Sequence, residues 1–202
     1  MTRNRKGRDH FAKRAKKENY PARSVYKLQE IDNKVKLFKS GMSVLDLGAA
    51  PGSWSIYVAD KVTSSGTVVA IDRAAMTVKF PPHVITIKEN ALALKPEELL
   101  ALIKKPGFDA VISDMAPHTS GHRFVDQSRS YNLFMRALEL SKQLLNENGH
   151  FVGKIFTGED FDAARNHMRT IFRTVKIIKP KSVRTESYEI YLVGLDKMIS
   201  SQ

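Results

Sequence analysis

Short apolar runs alternate along the chain with longer stretches in which apolar residues recur at helical spacing. The runs that predict strands cover residues 43–47, 67–71, 84–87, 108–113, 150–155, 175–178 and 189–193. The helical pattern covers residues 22–35, a stretch that begins near residue 53, and residues 96–104, 127–146 and 160–172. This alternation favours an α/β fold, a mostly parallel sheet with helices on both faces. The last two strands lack a crossover helix, so we expect them to form an antiparallel edge pair.

Charge is distributed unevenly along the 202 residues. We expect a flexible, basic RNA-binding arm at residues 1–19 and a single domain at residues 20–202. The net charge of +12 indicates a polyanionic partner, and Phe11 and Tyr20 among the first cations favour RNA, since aromatic rings stack on bases. The alternative to RNA binding is that these cations form a solvated surface that keeps the protein in solution. The cations form an N-terminal cluster of Arg3, Arg5, Lys6, Arg8, Lys13, Arg14, Lys16, Lys17 and Arg23, and a second cluster of Lys176, Lys179, Lys181 and Arg184.

The composition argues against several classes of protein. No apolar run is long enough to span a membrane, and the N-terminus lacks the apolar core of a secretory signal. The absence of cysteine excludes disulfides and thiolate metal sites, and no histidine and carboxylate cluster has the spacing of metal ligands. We therefore expect no metal, no membrane and a cytoplasmic protein, or an organellar one if the source is eukaryotic.

The turn after the first predicted strand is the strongest local indication of a ligand. The strand at residues 43–47 is followed by the letters GAAPGSW, and a helix begins near Ser53. In α/β sheets a ligand binds outside the carboxyl ends of the strands, and Gly48 and Gly52 would let it approach the backbone. The spacing is not that of the dinucleotide fingerprint, and Asp46 favours a cationic ligand group. A turn without a ligand is the alternative.

Polar residues after the next two strands suggest an adenosine-bearing cofactor. Asp72 follows the second strand, roughly 20 residues after the turn, where an acid hydrogen-bonds a ribose diol. Asn90 follows the third strand, where an amide can contact the edge of adenine. A helix cap and a simple turn asparagine are the alternative interpretations. The glycine spacing favours S-adenosylmethionine (SAM) over NAD.

Two charged residues lie within or directly after strands that are otherwise apolar. Asp114 comes after the strand at 108–113 and Lys154 lies within the strand at 150–155, where a charge needs a partner. Taken singly, Lys27 reads as a solvated helix residue, Glu189 as an edge-strand acid and Trp54 as core. His118 and His122 follow Asp114 in a loop, where they contact either RNA or solvent.

Five motifs occur together in a fixed order. They occupy residues 23–28 (RSVYKL), 46–54 (DLGAAPGSW), 113–117 (SDMAP), 152–156 (VGKIF) and 187–191 (SYEIY). Together they resemble the FtsJ family of SAM-dependent ribose 2′-O-methyltransferases, over about residues 9–195. The chain departs from the family pattern at Asn90, where an aspartate is usual, at Ser53, where a glycine is usual, and at Tyr188, where an arginine is common.

The resemblance implies the Rossmann-like fold of class I methyltransferases, with a seven-stranded sheet whose last strand inserts antiparallel. It implies the catalytic residues Lys27, Asp114, Lys154 and Glu189. The cofactor contacts expected from the turn, the strand ends and the resemblance together are Asp46, Gly48, Gly52, Ser53, Trp54, Asp72, Asn90 and Asp114.

The expected reaction is SAM-dependent methylation of a ribose 2′-hydroxyl. A hydroxyl is a poor nucleophile, so its proton must be removed or shared as the new bond forms. We expect Lys154 to serve as the base, Asp114 to orient it, and Glu189 to fix Lys27 or the hydroxyl. Much of the rate should come from alignment of the reacting atoms.

The substrate implied by the resemblance is a uridine of large-subunit ribosomal RNA, modified by a monomeric enzyme. Transfer RNA and an mRNA cap are the alternative substrates. A non-catalytic ribosome-assembly factor and a nicotinamide-dependent oxidoreductase are the alternative functions. The four matching charged residues argue against the first of these functions, and the glycine spacing argues against the second.

Overall fold

The computed structural model describes residues 3–76, 78–91, 93–184 and 186–199, with side chains from residue 10 onward. Within these residues the chain forms seven strands and six helices. The strands are β1 (Ser43–Leu47), β2 (Thr67–Asp72), β3 (Val84–Lys88), β4 (Phe108–Ser113), β5 (Leu145–Phe156), β6 (Phe172–Ile178) and β7 (Glu189–Lys197). The helices are α1 (Arg3–Lys17), α2 (Val25–Val35), α3 (Ser53–Val62), α4 (Pro96–Leu100), α5 (Arg123–Leu144) and α6 (Phe161–Arg169).

All seven strands belong to one sheet, in the order β3-β2-β1-β4-β5-β7-β6. The first five strands pair in parallel, whereas β7 is antiparallel to both β5 and β6. The mostly parallel sheet and its antiparallel last strand are therefore confirmed. The expected antiparallel pair of the last two strands is also confirmed, because β6 and β7 pair antiparallel at one end of the sheet, with β7 inserted between β5 and β6.

Apolar residues cover both faces of the sheet. On one face Leu45 of β1 packs in a cluster with Phe134 of α5. On the other face Val44 packs with Val25 of α2 and Val58 of α3. All five residues of β1 are buried, which explains why the strand reads as a nearly continuous apolar run.

The boundary between α5 and β5 differs from the prediction. The helix ends at Leu144 and the strand begins at once, whereas the Asn148-Gly149 pair had predicted a helix end and a strand starting at residue 150. Residues 146–149 instead interrupt the pairing of β5 with β4, with Asn148 at φ 58°. The turn signal therefore marks an irregularity within the strand, where β5 contains three more residues than the part of β4 that it faces. Helices α2, α4 and α6 are shorter than their apolar patterns predict.

The segment expected to be a flexible basic arm contains helix α1. Ala15 is buried, and the ring of Phe11 lies 5.4 Å from the ring of Tyr26 in α2. The helix is thus attached to the domain through its C-terminal half. The side chains of the cations before residue 10 lie outside the described residues. Over the ranges that the structure describes, no helix combines the length and the apolar character needed to cross a bilayer.

Candidate active site

The strand order brings the predicted catalytic residues to one edge of the sheet. Asp114 follows β4 and Lys154 lies near the end of β5, and neighbouring parallel strands end at the same edge. Because β7 runs the other way, its first residue, Glu189, lies at that edge too, paired in register with Phe156. Lys27 reaches the same edge from helix α2. The four side chains therefore come together, although they are distant in sequence.

Two ion pairs form the centre of the site. The Lys154 amine lies 3.0 Å from Oδ1 of Asp114 and also donates to the Asp114 carbonyl oxygen. The Lys27 amine lies 2.5 Å from Oε1 of Glu189. All four side chains are largely buried, so removal of one partner of a pair would leave an uncompensated buried charge.

Tyr191 connects the two ion pairs. Its hydroxyl lies 2.7 Å from Oδ1 of Asp114 and 2.8 Å from Oε1 of Glu189. A phenol has one proton to donate, so the two carboxylates compete for it. Burial, together with the two neighbouring carboxylates, raises the pKa of Tyr191 far above its ordinary value, which keeps the phenol protonated.

Sequence reasoning gave Tyr191 no role. The available signal was its position two residues after Glu189 in the same strand, because such residues lie on one face of a sheet. It also lies opposite Lys154 in the pairing of β5 with β7.

The Asp114 carboxyl is held in its ionised form. Burial alone would raise its pKa, but the positive charges of Lys154 and Lys27 and the hydrogen bond from Tyr191 lower the pKa below its ordinary value. Asp114 therefore presents a negative charge to Lys154 at neutral pH, which suits a role in orienting the amine.

The side chains of Ser53 and Trp54 hold the chain segment that leads into α2. The Ser53 hydroxyl accepts a hydrogen bond from the amide of Ala22 at 2.7 Å and donates to its carbonyl at 3.0 Å. The Trp54 indole donates to the carbonyl of Ser24 at 2.9 Å. Both side chains are buried and position α2, and with it Lys27. Their expected cofactor contact stays a prediction.

The two glycines of the turn are required by close protein contacts. Gly48 and Gly52 have φ angles of 78° and 111°, which favour glycine. A Cβ at Gly48 would lie 2.8 Å from the side chain of Met115, and one at Gly52 would lie 2.7 Å from the ring of Phe80. The expected reason for glycine was approach of a ligand, whereas in this structure side chains from neighbouring segments approach these positions.

Asp46 is a fully buried carboxyl beneath the turn. Its Oδ2 accepts a hydrogen bond of 2.6 Å from the Ser55 hydroxyl, whereas its Oδ1 is buried without a hydrogen-bond partner. Burial raises the pKa of Asp46 to about 7, against the opposing effect of the Ser55 hydrogen bond. A buried carboxylate oxygen without a hydrogen-bond partner suits a ligand that brings its own hydrogen-bond donor.

Asp72 ties β2 to the glycine turn. One carboxylate oxygen accepts from the amide of Ala50 at 3.0 Å, and the other accepts from the amide of Ala74 at 2.8 Å. Each oxygen retains acceptor capacity for a ligand hydroxyl. Asn90 lies just after β3 and is partly buried, and its backbone carbonyl accepts from the amide of Ala93.

The loop after Asp114 is held by a carboxylate. Asp126 accepts hydrogen bonds from Ser120 and Gly121, which anchors the turn before α5. His118 and His122 of this loop are both exposed. Among the residues that the structure describes, no three histidine or acidic side chains are grouped to hold a metal ion.

The second basic cluster lies at the edge that carries the ion pairs. Strand β6 runs in the same direction as β5, so Lys176 and the residues after Ile178 lie near that edge. Glu30 of α2 accepts hydrogen bonds from the amides of Lys181 and Ser182, which fixes the basic loop against the domain.

Three features define a Rossmann-like methyltransferase. They are the sheet order with its inserted antiparallel last strand, the glycine turn after β1, and the acids at the carboxyl ends of β2 and β4. The chain belongs to the FtsJ-like methyltransferase family, whose sequence profile matches residues 20–197.

Curated relatives match almost the whole chain. A protein of Oleidesulfovibrio alaskensis named ribosomal RNA large subunit methyltransferase E is 51% identical over 191 residues, which cover 95% of this chain and 92% of the relative. Proteins with the same name are 48% identical in Sorangium cellulosum, covering 94% and 88% of the two chains, and 45% identical in Bdellovibrio bacteriovorus, covering 94% and 97%.

Solved structures share the fold. A protein of Plasmodium falciparum described as a ribosomal RNA methyltransferase superposes with a TM-score of 0.77 at 26% identity, covering 88% of this chain and 98% of that one. A protein of Clostridium thermocellum has a TM-score of 0.56 at 17% identity, which shows likeness of fold alone.

Proposed function

We propose that this protein transfers the methyl group of SAM to a ribose 2′-hydroxyl in RNA, with a uridine of large-subunit ribosomal RNA as the substrate. The observation that carries the proposal is the Lys154–Asp114 ion pair, which lies beside the Lys27–Glu189 pair at the edge of the sheet that carries the glycine turn. The name shared by the curated relatives supports ribosomal RNA of the large subunit as the substrate.

The residues around the turn fit a cofactor with a cationic and a ribosyl group. The unpartnered Oδ1 of Asp46 suits an ammonium group, directly or through water, and Asp72 suits a ribose diol. We assign Asn90 to the adenine edge, and Asp114 and the backbone of Gly48 and Gly52 to the wall of the cofactor site. When bound, SAM supplies an electrophilic methyl group.

Lys154 and Asp114 activate the acceptor hydroxyl. The Lys154 amine, in its neutral form, would take the 2′-hydroxyl proton as the oxygen–methyl bond forms and the methyl–sulfur bond of bound SAM breaks, with S-adenosylhomocysteine as the leaving group. Asp114 holds the amine in place through two contacts, one from its carboxylate and one from its backbone carbonyl. Lys27 is fixed by Glu189 and adds a positive charge near the oxygen that loses its proton.

RNA binding is assigned to the two basic clusters. The second cluster lies at the catalytic edge, and helix α1 carries every member of the first cluster except Arg23. Phosphate contacts of this kind position a nucleic acid without reading its sequence. We expect the protein to act as a monomer in the cytoplasm, where ribosomal RNA is available.

The test is to map ribose methylation in total RNA from cells with and without this protein. Loss of one 2′-O-methyl group in large-subunit RNA is the expected result. Loss of a 2′-O-methyl group from a transfer RNA or from an mRNA cap would instead identify that RNA as the substrate. An unchanged methylation map together with an assembly defect would favour a non-catalytic assembly factor.

A further inference from the structure

An exposed aromatic group lies beside the candidate active site. Among the described residues, the exposed large hydrophobic side chains include two aromatic ones, Phe124 at 67% and Tyr188 at 45% exposure. The guanidinium carbon of Arg123 lies 4.0 Å from the centre of the Tyr188 ring. We call these three residues, Arg123, Phe124 and Tyr188, the aromatic platform.

The platform is attached to the catalytic edge by hydrogen bonds. Tyr188 directly precedes Glu189, and its carbonyl accepts from the amide of Thr157 at 2.9 Å. Gln127, in the first turns of α5, donates to the carbonyl of Thr157. The start of α5, the end of β5 and the start of β7 are therefore joined into one surface next to the catalytic residues.

The stability of the fold does not explain why Arg123 and Phe124 occupy exposed positions at the start of α5. Arg123 opens helix α5, where the helix dipole disfavours a positive charge. Phe124 exposes most of its ring to water, which contributes little to the core. Side chains placed against local preference at the mouth of a site are expected to serve a ligand.

We propose that the aromatic platform stacks on an unpaired nucleobase of the acceptor RNA, next to the nucleotide whose ribose is methylated. The inference rests on the proposed function, and it adds a base-binding site to the phosphate-binding clusters. Aromatic rings and an arginine plane are the groups on which unpaired bases stack in proteins that bind single-stranded RNA.

The charges around the platform favour a base over a phosphate. Glu159 and Asp160 line the same cleft as Phe124, and carboxylates repel phosphate groups. The one cation of the platform, Arg123, is already engaged with an aromatic ring, because its guanidinium lies over Tyr188. The lysines of the second basic cluster are better placed for the RNA backbone.

The test compares Tyr188→Ala, Phe124→Ala and Tyr188→Phe with the wild type. Ile199→Ala is the matched control, because Ile199 is 66% exposed and lies after β7 at the opposite end of that strand. Two substrates are used, large ribosomal subunits from cells that lack the enzyme and the same RNA free of protein. Base stacking is reported by quenching of 2-aminopurine fluorescence, measured with a single-stranded RNA that contains this base analogue.

The alanine variants are expected to raise KM for RNA about tenfold, with kcat and KM for SAM within about twofold of the wild type. Tyr188→Phe keeps the ring and is expected to match the wild type, as is Ile199→Ala. Quenching of 2-aminopurine should weaken in Tyr188→Ala. These changes should appear with both RNA substrates.

An unchanged KM for RNA in both alanine variants would overturn the proposed stacking. Equal quenching of 2-aminopurine by Tyr188→Ala and the wild type would overturn it as well. A defect confined to whole subunits would also overturn it, because it would indicate contact with a ribosomal protein. If the wild type methylates no RNA, the proposed function fails, and the quenching experiment still decides whether the platform binds a base.

Discussion

At the residue scale, the site depends on how buried charges are paired. Lys154 and Asp114 form one pair, Lys27 and Glu189 form the other, and Tyr191 lies between the two carboxylates. Breaking a buried pair leaves an uncompensated charge, so changes at these positions cost more than changes at exposed ion pairs.

Tyr191→Phe tests the connection between the two pairs. The variant keeps the ring, which packs 5.8 Å from Trp54, and removes the hydroxyl that the carboxylates share. Because hydrogen bonds to charged groups are worth about 1.5–3 kcal/mol, we expect kcat to fall at least about tenfold with KM for SAM unchanged. Single-turnover methyl transfer measures the effect.

Tyr57→Phe is the matched control for Tyr191→Phe. The Tyr57 hydroxyl also donates to a buried carboxylate, Asp32, at 2.7 Å, but away from the catalytic edge. The Tyr57→Phe variant should lower the free energy of unfolding and change kcat less than Tyr191→Phe does, because Asp32 bonds Leu37, Phe38 and Tyr57 and none of the four catalytic side chains. Equal effects of both variants on kcat would show that Tyr191 acts only through stability.

Asp46 predicts a pH dependence of stability. Its folded pKa of about 7 lies above the value of about 4 expected for the unfolded chain, so between these values the folded state holds a proton that the unfolded state has lost. Its contribution to the free energy of unfolding therefore falls as pH rises from about 4 to about 7. Asp46→Asn lacks this contribution.

We expect the stability of Asp46→Asn, relative to the wild type, to rise by on the order of 2 kcal/mol between pH 5 and pH 7. Urea unfolding of both proteins at a series of pH values measures the difference. A constant difference across this range would contradict the assignment of the raised pKa to Asp46.

At the scale of elements, most of the sheet could be predicted from the sequence. Strands β1, β2 and β4 read clearly because both of their faces are covered, which gives continuous apolar runs. The insertion of β7 followed only from the family resemblance, because strand order is a long-range property that periodicity does not carry. The Asn148-Gly149 pair predicts a helix end but marks an irregularity within β5, since the same residues favour either kind of turn.

The candidate site was predictable where charge interrupts an apolar strand, as at Lys154. Lys27 and Glu189 have no such signal, and the resemblance alone identified them. Tyr191 was missed because a tyrosine in a buried strand is ordinary until its hydroxyl is seen between two carboxylates.

Helix α3 is expected to act on catalysis by positioning α2. Ser53→Ala removes the two hydrogen bonds to Ala22 in the segment before α2, which carries Lys27. We expect kcat to fall about fivefold while the Kd for SAM stays unchanged, because the lost hydrogen bonds hold the segment before α2. Calorimetry and single-turnover kinetics measure the two quantities.

Ser141→Ala is the control, since the buried Ser141 hydroxyl donates only within its own helix, to the carbonyl of Ala137. It should leave kcat unchanged. A weaker affinity for SAM in Ser53→Ala would instead support the predicted cofactor contact of the Ser53 side chain.

At the scale of the whole molecule, the net charge of +12 should govern RNA affinity. Each phosphate contact adds about 0.7 to the slope of log Kd against log salt for single-stranded RNA. Lys176→Gln with Lys181→Gln, at the catalytic edge, should reduce this slope by about 1 to 1.5. Filter binding between 50 and 200 mM salt is expected to resolve the change.

Lys34→Gln with Lys104→Gln removes the same charge near the segments that lead into β1 and β4, at the opposite edge of the sheet. This control should leave the slope unchanged. Equal slopes for the two double variants would show that the positive charge acts diffusely and not through the catalytic edge.

The most direct test of the account is methyl transfer from labelled SAM to large ribosomal subunits that lack the modification, with the wild type and Lys154→Ala. The account predicts that the wild type labels one ribose, that Lys154→Ala loses at least about a thousandfold in rate, and that both bind SAM equally well in calorimetry. Transfer by Lys154→Ala at the wild-type rate would contradict the central role of the Lys154–Asp114 pair.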